Sequence, residues 1–479
     1  MAGHINNQEF IAMSTQQPVD PAANASLFIL QDNIHEPMHD RFLWAIRKRR
    51  DHQATAIPEW EELRELASKI KEHTLTHLDQ YLEEFEHNAT RRGAQVHWAR
   101  DAAEHNEIVH SILLEHGVQG LIKSKSMLQE ECAMTPYLEN RGISVVESDL
   151  GERIQQLDGQ PPSHIIAPAI HKTRQDVARL FARTIGTDPN NDDPHFLTEA
   201  MRNNARPRFL AAGAGMTGAN FANAETGTFV VCTNEGNADI GAAVPPLHIT
   251  SIGIEKMIPR VEDMGAFLRL LTRSAVGESS TQYSSHFTGP RKDGELHIVL
   301  VDNGRSRRLG MTDFWHSLKC VRCGACMNTC PVYRRSGGMA YGATYSGPIG
   351  VILDPTFDEL KYSELPFHST LCGSCSEVCP VKIDISDQIL KWRRVMAGKG
   401  YLPLAKRLSF AVAGHVFAHP KEFHAVEKAA GPVLDHTPHF LVYNRSLNPW
   451  GRDRKLPEIP EQSFRDWYIA NRMDDHVEQ

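Results

Sequence analysis

Cys320-x2-Cys323-x2-Cys326-x3-Cys330-Pro331 places four thiols within eleven residues, and a second run, Cys372-x2-Cys375-x3-Cys379-Pro380, follows about forty residues later. Seven of the nine cysteines of the chain lie in these two runs. Three thiolates at this spacing wrap one face of a cubane iron-sulfur cluster. The fourth, ahead of a proline, turns away to ligate the other cluster of a bacterial two-cluster ferredoxin. The spacing therefore assigns Cys320, Cys323, Cys326 and Cys379 to a first 4Fe-4S cluster, and Cys330, Cys372 and Cys375 to a second. The expected eighth ligand falls at position 369, which is serine, with His368 beside it. Structural zinc is the competing chemistry. Zinc favours cysteine pairs separated by a long spacer that close one tetrahedron, and these four crowded cysteines are too many for one zinc and badly spaced for two. Cys132 and Cys232 stand outside the runs and read as single buried thiols acting as small hydrophobes.

Thiols of this kind need a reducing compartment, so the cysteines are not a disulfide framework. The start, MAGHINNQEF, lacks a basic region followed by an apolar run. The apolar stretch from Leu408 to Phe417 is too short to span a bilayer. A cytoplasmic protein is expected. A net charge of −8 argues against general nucleic-acid binding, and 479 residues with 41% apolar content provide core for several domains.

Residues 1–40 are polar and irregular and read as a flexible tail. From Arg41 to Arg92 apolar residues recur at helical intervals, Leu63, Leu66 and Ile70, then Leu75, Leu78, Leu82 and Phe85. Helices then alternate with short apolar strands. Helical Glu104–His116 and Met127–Asn140 separate strands expected at Gly120–Lys123 and Ser144–Glu147. Further strands are expected at His164–Ala167, Arg208–Ala212, Thr228–Thr233, His248–Gly253 and His297–Asp302. This alternation predicts an α/β fold with a parallel sheet. After Asn303 the composition turns to cysteine, glycine and proline. The division expected is an α/β domain over 41–303, a helical ferredoxin-like domain over 304–394 and a helical C-terminal domain over 395–479.

Three further motifs offer chemistry. Gly213-Ala-Gly215-Met-Thr-Gly218 matches the dinucleotide fingerprint, with Glu235 near the position of a ribose-binding acid. Too few residues separate it from the next strand for a Rossmann crossover helix. His35-Glu36-Pro-Met-His39 matches a zincin motif, but Pro37 belongs in a first turn and the segment reads as a solvated helix entry. His73 and His77, and the run Arg47-Lys-Arg-Arg50, read as solvated helix faces.

Several segments together resemble the lactate-utilisation protein B family. They are Lys123-Ser-Lys-Ser-Met127, Gly142-Ile-Ser-Val-Val-Glu-Ser-Asp-Leu-Gly-Glu152, Pro162-Ser-His-Ile165, Met216-Thr-Gly-Ala-Asn-Phe-Ala-Asn-Ala-Glu-Thr-Gly-Thr228, Asn234-Glu-Gly-Asn237 and Leu371-Cys-Gly-Ser-Cys-Ser-Glu-Val-Cys-Pro380. The resemblance runs from about residue 45 to the C-terminus. It implies a lactate-utilisation domain folded like ribose-5-phosphate isomerase and CoA transferases, then a ferredoxin-like insert and a small helical domain. It also implies work with two sister proteins in oxidising L-lactate to pyruvate, and seven cluster cysteines as a family trait. An electron acceptor, membrane-bound or soluble, would lie beyond them. Glu225-Thr-Gly227 and Asn234-Glu-Gly-Asn237 flank a strand and are expected to line a cleft. The iron-sulfur subunit is the reading adopted. A self-contained NAD-linked dehydrogenase using Gly213, Gly215 and Gly218 is the alternative, and a scaffold whose clusters only hold the fold is a third.

Overall fold

A computed structural model describes residues 18–442, 460 and 462–472. The chain divides into two units, Met1–Tyr401 and Leu402–Gln479. The first is built on ten strands: β1 (Gln95–Ala99), β2 (Gly120–Lys123), β3 (Ser144–Glu147), β4 (Ala214–Gly218), β5 (Phe221–Asn223), β6 (Thr228–Thr233), β7 (Leu247–Gly253), β8 (Met257–Ile258), β9 (Tyr283–Phe287) and β10 (Glu295–Val301). Six form a wholly parallel sheet in the order β1-β10-β7-β4-β2-β3. Its central strands are buried, as in parallel sheets covered on both faces: every residue of β7 is buried, His248, Thr250 and Ser251 included. A smaller sheet, β8-β5-β6-β9, lies beyond the ends of β4 and β7 in the chain. The mixed α/β architecture with a parallel sheet is the one the alternation predicts.

Local chemistry sets the helix starts. Asp101, Ser126 and Asp149 each accept a backbone N–H at the head of a helix that follows a strand. Thr173 and Asp176 make a reciprocal capping box ahead of Arg174–Ile185.

Several strand expectations are corrected. β1 was not anticipated: Gln95–Ala99 is an edge strand of mixed polarity, without the apolar run that marks a central strand. Arg208–Ala212 is the end of the Pro194–Ala211 helix rather than a strand. His164–Ala167 is a loop whose two N–H groups, from Ile166 and Ala167, bond to His164 Nδ1. The strand expected before the glycine motif instead contains it, since β4 is Ala214–Gly218. A dinucleotide fingerprint needs its glycines in the turn between strand and helix. Here Gly215 is a flush contact: a Cβ on it would lie 1.8 Å from the Gly241 carbonyl oxygen of the Asn237–Ala243 helix.

The N-terminal helices are more deeply integrated than expected. Of the segment read as a tail, residues 1–17 lie outside the described residues. Pro21–Ile29 is a helix, tied in where Val19 N–H donates to Lys361 O. In His35–Thr55 the zincin-like residues are not solvated: Glu36 and His39 are buried, His39 Nδ1 bonds to Arg334 O and Glu36 pairs with Arg335. His35 is held between Asp32 and Asp176. The Arg47–Arg50 run is solvated only at Lys48 and Arg49. Arg47 reaches Ser374 Oγ, and Arg50 is buried against Val378 O. His73 is exposed, as expected, and bonds to Tyr81. One apolar core runs from these helices, through Leu43 and Trp60, into the cysteine-rich part at Tyr333 and Trp392. Phe314 stacks on Trp392 with ring centroids 4.1 Å apart.

In the second unit, Leu404–Ala418 and Pro420–His436 pack on one another, and His439–Val442 and Phe464–Arg472 are further helices. Among the described residues no helix is long and apolar enough to cross a membrane.

The flush contact gives a test. Gly215→Val must push strand from helix and should cost about 3 kcal/mol of stability, as overpacking of a close contact does. Urea unfolding of the full chain measures it. Unchanged stability with loss of measurable NAD affinity would restore the dinucleotide reading.

Candidate functional site

The cysteine runs fold as two short turns of helix, Ala325–Thr329 and Ser374–Val378, each entered through a left-handed glycine, Gly324 or Gly373. These helices pack on each other. Cys323, Cys326, Cys330, Cys375 and Cys379 are buried, Cys320 is half-buried and Cys372 is exposed. The fold gathers them in two groups. Cys320, Cys323, Cys326 and Cys379 line one small cavity, closed by Ile165, Ile349, Ile383 and Ile385. Cys330, Cys372 and Cys375 interact electrostatically with one another, and Cys326 is within such reach of Cys375. Burial pushes the free thiols of Cys323, Cys326, Cys330, Cys375 and Cys379 up, that of Cys375 to about 12.

Metal binding would replace those protons. The donor set fits such a ligand: converging sulfurs, a dry apolar wall, and backbone N–H groups already aimed at sulfur. Arg322 N–H meets Cys320 Sγ, Tyr333 N–H meets Cys330 Sγ and Ile383 N–H meets Cys379 Sγ, each at 3.4 Å. Hydrogen bonds of this kind tune cluster potential. At the position of the absent eighth cysteine, Ser369 Oγ is used locally, accepting from Leu371 N–H. His368 Nε2 is buried without a hydrogen-bond partner. Its ring meets Tyr341 edge-on, and the Tyr341 phenol interacts with Cys330.

Beside the first group opens a cleft of about 230 Å³. It lies where the parallel strands end, the usual ligand position in an open α/β sheet. The loop after β2 contributes Ser124, Lys125 and Ser126, β4 ends in it at Gly218, and the turn after β7 supplies Glu255 and Lys256. Asn234, Glu235 and Asn237 line it, as expected of that segment. Glu225-Thr-Gly227 does not: Glu225 accepts from Val261 N–H, and Gly227 sits flush on the backbone of Ala89. Cys232 is a half-buried wall residue and Cys132 a core residue, their thiols pushed up by burial to about 11 and 12. Arg322 and Ile165 line both the cleft and the cysteine cavity.

The charges were not legible in the sequence. Arg305 is saturated by Glu131 and Glu255. Buried Lys71 donates to Met257 O, and burial lowers it to about 7. Burial lowers Lys256 to about 8. Two histidine-carboxylate groupings lie elsewhere: His116, Glu295 and His297 at the start of β10, and His415, His419 and Glu422 in the second unit.

The LUD domain family matches residues 82–308, and the 4Fe-4S dicluster domain family matches residues 316–383. Lactate utilization protein B of Bacillus cereus (strain AH820) is 40% identical over 426 residues, covering 87% of this chain and 89% of its own. The chain belongs to the lactate utilization protein B family. The protein of that name from Bacillus cytotoxicus is 41% identical over 431 residues, 87% of this chain and 89% of its own. That from Geobacillus kaustophilus is 40% identical over 437 residues, 85% and 88% respectively. A crystal structure of a DUF162 family protein from Deinococcus radiodurans aligns with 47% of this chain and 98% of its own at 13% identity, with a TM-score of 0.27. That score is too low to carry an argument about fold. Membership joins the two halves of the site: an iron-sulfur domain and a LUD domain whose cleft shares a wall with the cysteine cavity.

Proposed function

We propose that this chain is the iron-sulfur electron-transfer subunit of a system that oxidises L-lactate to pyruvate, passing electrons through two 4Fe-4S clusters. The observation that carries the reading is the convergence of seven cysteines, distant in sequence, into two adjacent groups. Bound clusters supply one-electron transfer. Cys320, Cys323, Cys326 and Cys379 would hold the first. Cys330, Cys372 and Cys375 would hold the second, completed by the unpartnered imidazole of His368 rather than the engaged hydroxyl of Ser369. Ile349, Ile383 and Ile385 exclude water from the first group. The glycine motif is strand and does not form the phosphate-binding turn that a dinucleotide needs. Sister subunits of a lactate-utilisation complex would supply the two-electron centre and take the protein as partner, in the cytoplasm.

The crossed ligand set predicts that Cys379→Ser perturbs the same EPR signal as Cys323→Ser. A Cys379→Ser spectrum that mimics Cys372→Ser instead would be incompatible with it. His368→Ala should convert the second cluster to a 3Fe-4S form on mild oxidation and leave the first intact, while Ser369→Ala should leave both intact. Equal resistance of both clusters in Mössbauer spectra of His368→Ala would remove His368 from the ligand set.

The reading as a whole is tested by turnover. The purified, cluster-loaded subunit should be reversibly reduced by dithionite, yet neither oxidise lactate nor reduce NAD until the sister subunits are added. Steady lactate-dependent NADH formation by the lone protein would overturn it in favour of a dehydrogenase.

A further inference from the structure

The cleft carries two cations, Lys256 and Arg322, whose side-chain donors have no hydrogen-bond partner among the described residues. Lys256 makes no hydrogen bond or ion pair among the described residues, because its neighbour Glu255 is taken by Arg305. The Arg322 guanidinium lies over the Tyr345 ring at 4.3 Å, and its Nη1 is buried with no hydrogen-bond partner. Lys256 and Arg322 are close enough to repel each other. Buried polar atoms are normally satisfied, and two cations with open hydrogen-bond donors in one cavity suit an anion.

We infer that this cleft binds a small carboxylate of the 2-hydroxy or 2-oxo acid class, its carboxylate held by the Arg322 fork and the Lys256 ammonium. The size fits a small acid. At about 230 Å³ the cavity falls below the roughly 300–1,000 Å³ of pockets that take drug-sized ligands. A planar guanidinium with a free edge matches a carboxylate in two-point geometry. Ile165, Leu271 and Val276 give the short alkyl group an apolar wall. The acids near the site are engaged or peripheral: Glu255 is bound by Arg305, Asp149 lies 3.7 Å from Lys125, and Glu235 is at the exposed rim. Arg322 sits between Cys320 and Cys323, so the bound acid would lie one residue from the first cysteine group. The assignment rests on reading the chain as part of a lactate-oxidising system and names the place where that system's substrate or product docks.

Calorimetric titration of the full, cluster-loaded chain with L-lactate, and separately with pyruvate, tests it. Saturable binding of at least one acid is expected. Lys256→Gln should weaken it about tenfold or more, the cost of losing one charge-assisted hydrogen bond, with iron content and EPR spectrum unchanged. Lys256→Arg should retain it. Arg322→Lys, which keeps the charge but not the fork, should weaken binding and serves if Arg322→Gln loses its iron. The inference is overturned if neither acid binds, if Lys256→Gln binds as tightly as the unaltered chain, or if inorganic phosphate binds as tightly through the same lysine. A shifted cluster potential in Lys256→Gln with unchanged acid affinity would overturn it too, since the cations would then serve the cluster alone. Absent binding with clusters that still cycle reversibly sinks this inference and spares the electron-carrier reading. Binding to a protein whose clusters cannot be reduced does the reverse.

Discussion

Two buried arginines from the N-terminal helices hold the peptide that carries Cys379. Arg64 donates through Nε and Nη2 to Cys379 O, at 3.1 and 2.9 Å, and through Nη2 to Glu377 O at 2.6 Å. Arg50 donates to Val378 O at 3.2 Å. These three carbonyls end the Ser374–Val378 helix, where no intrahelical donor remains and the dipole favours a cation. Hydrogen bonds from charged donors are each worth about 1.5–3 kcal/mol, and the groups they satisfy are buried. Cys379 belongs by sequence to the second run but must reach the cavity of the first. The crossing depends on a loop whose carbonyls are met only in part locally, Lys382 N–H donating to Cys379 O, and helices more than three hundred residues away complete it.

The same economy joins the cysteine-rich part to the sheet. Arg305, just after β10, is enclosed by Glu131, from the helix after β2, and Glu255, from the turn after β7. Tyr345 of the cysteine-rich part adds its hydroxyl to Glu131 at 2.5 Å. Removing one member of such a cluster leaves an uncompensated charge in the interior. Four chain segments are therefore locked at the one edge of the sheet where the cleft opens. His164 adds a fifth contact. Its Nδ1 accepts two backbone N–H groups, so Nε2 carries the proton and donates to Asn328 Oδ1 of the cysteine helix. Burial holds this ring neutral, its pKa lowered to about 3, and a neutral ring suits that pattern.

What could be read in the sequence was whatever is local. Cysteine intervals, short strands such as His248–Gly253 and the helical periodicity before residue 92 are properties of neighbouring residues. The misreadings arose where a distant partner decided the outcome. Phe209–Ala212 looked like a strand because it is apolar, yet the polar Asp193-capped segment before it continues as helix. Gly213–Gly218 matched a phosphate turn that its spacing already argued against, but what its glycine is for was not readable: Gly215 lets the Asn237–Ala243 helix lie on the sheet. His39 and Arg50 looked solvated because they are polar, and both are buried against carbonyls of the cysteine-rich part. Nothing near Lys256 in the sequence indicates that it shares a cavity with Arg322.

Arg322 shows how closely the two halves of the site are coupled. Its backbone is left-handed, φ +59°, a conformation that costs a side chain of this size free energy. The strained turn aims its N–H at Cys320 Sγ and sends the side chain the other way, into the cleft and over Tyr345. A glycine would make the same turn without strain, so the turn alone does not account for arginine here. What arginine adds is a fixed positive charge in the wall shared by the cysteine cavity and the cleft. Arg322 and Lys256 both interact with Cys320, so charge on either side acts on the same two cations. A cluster held by the first cysteine group and an anion bound in the cleft would therefore act on the same positive charge.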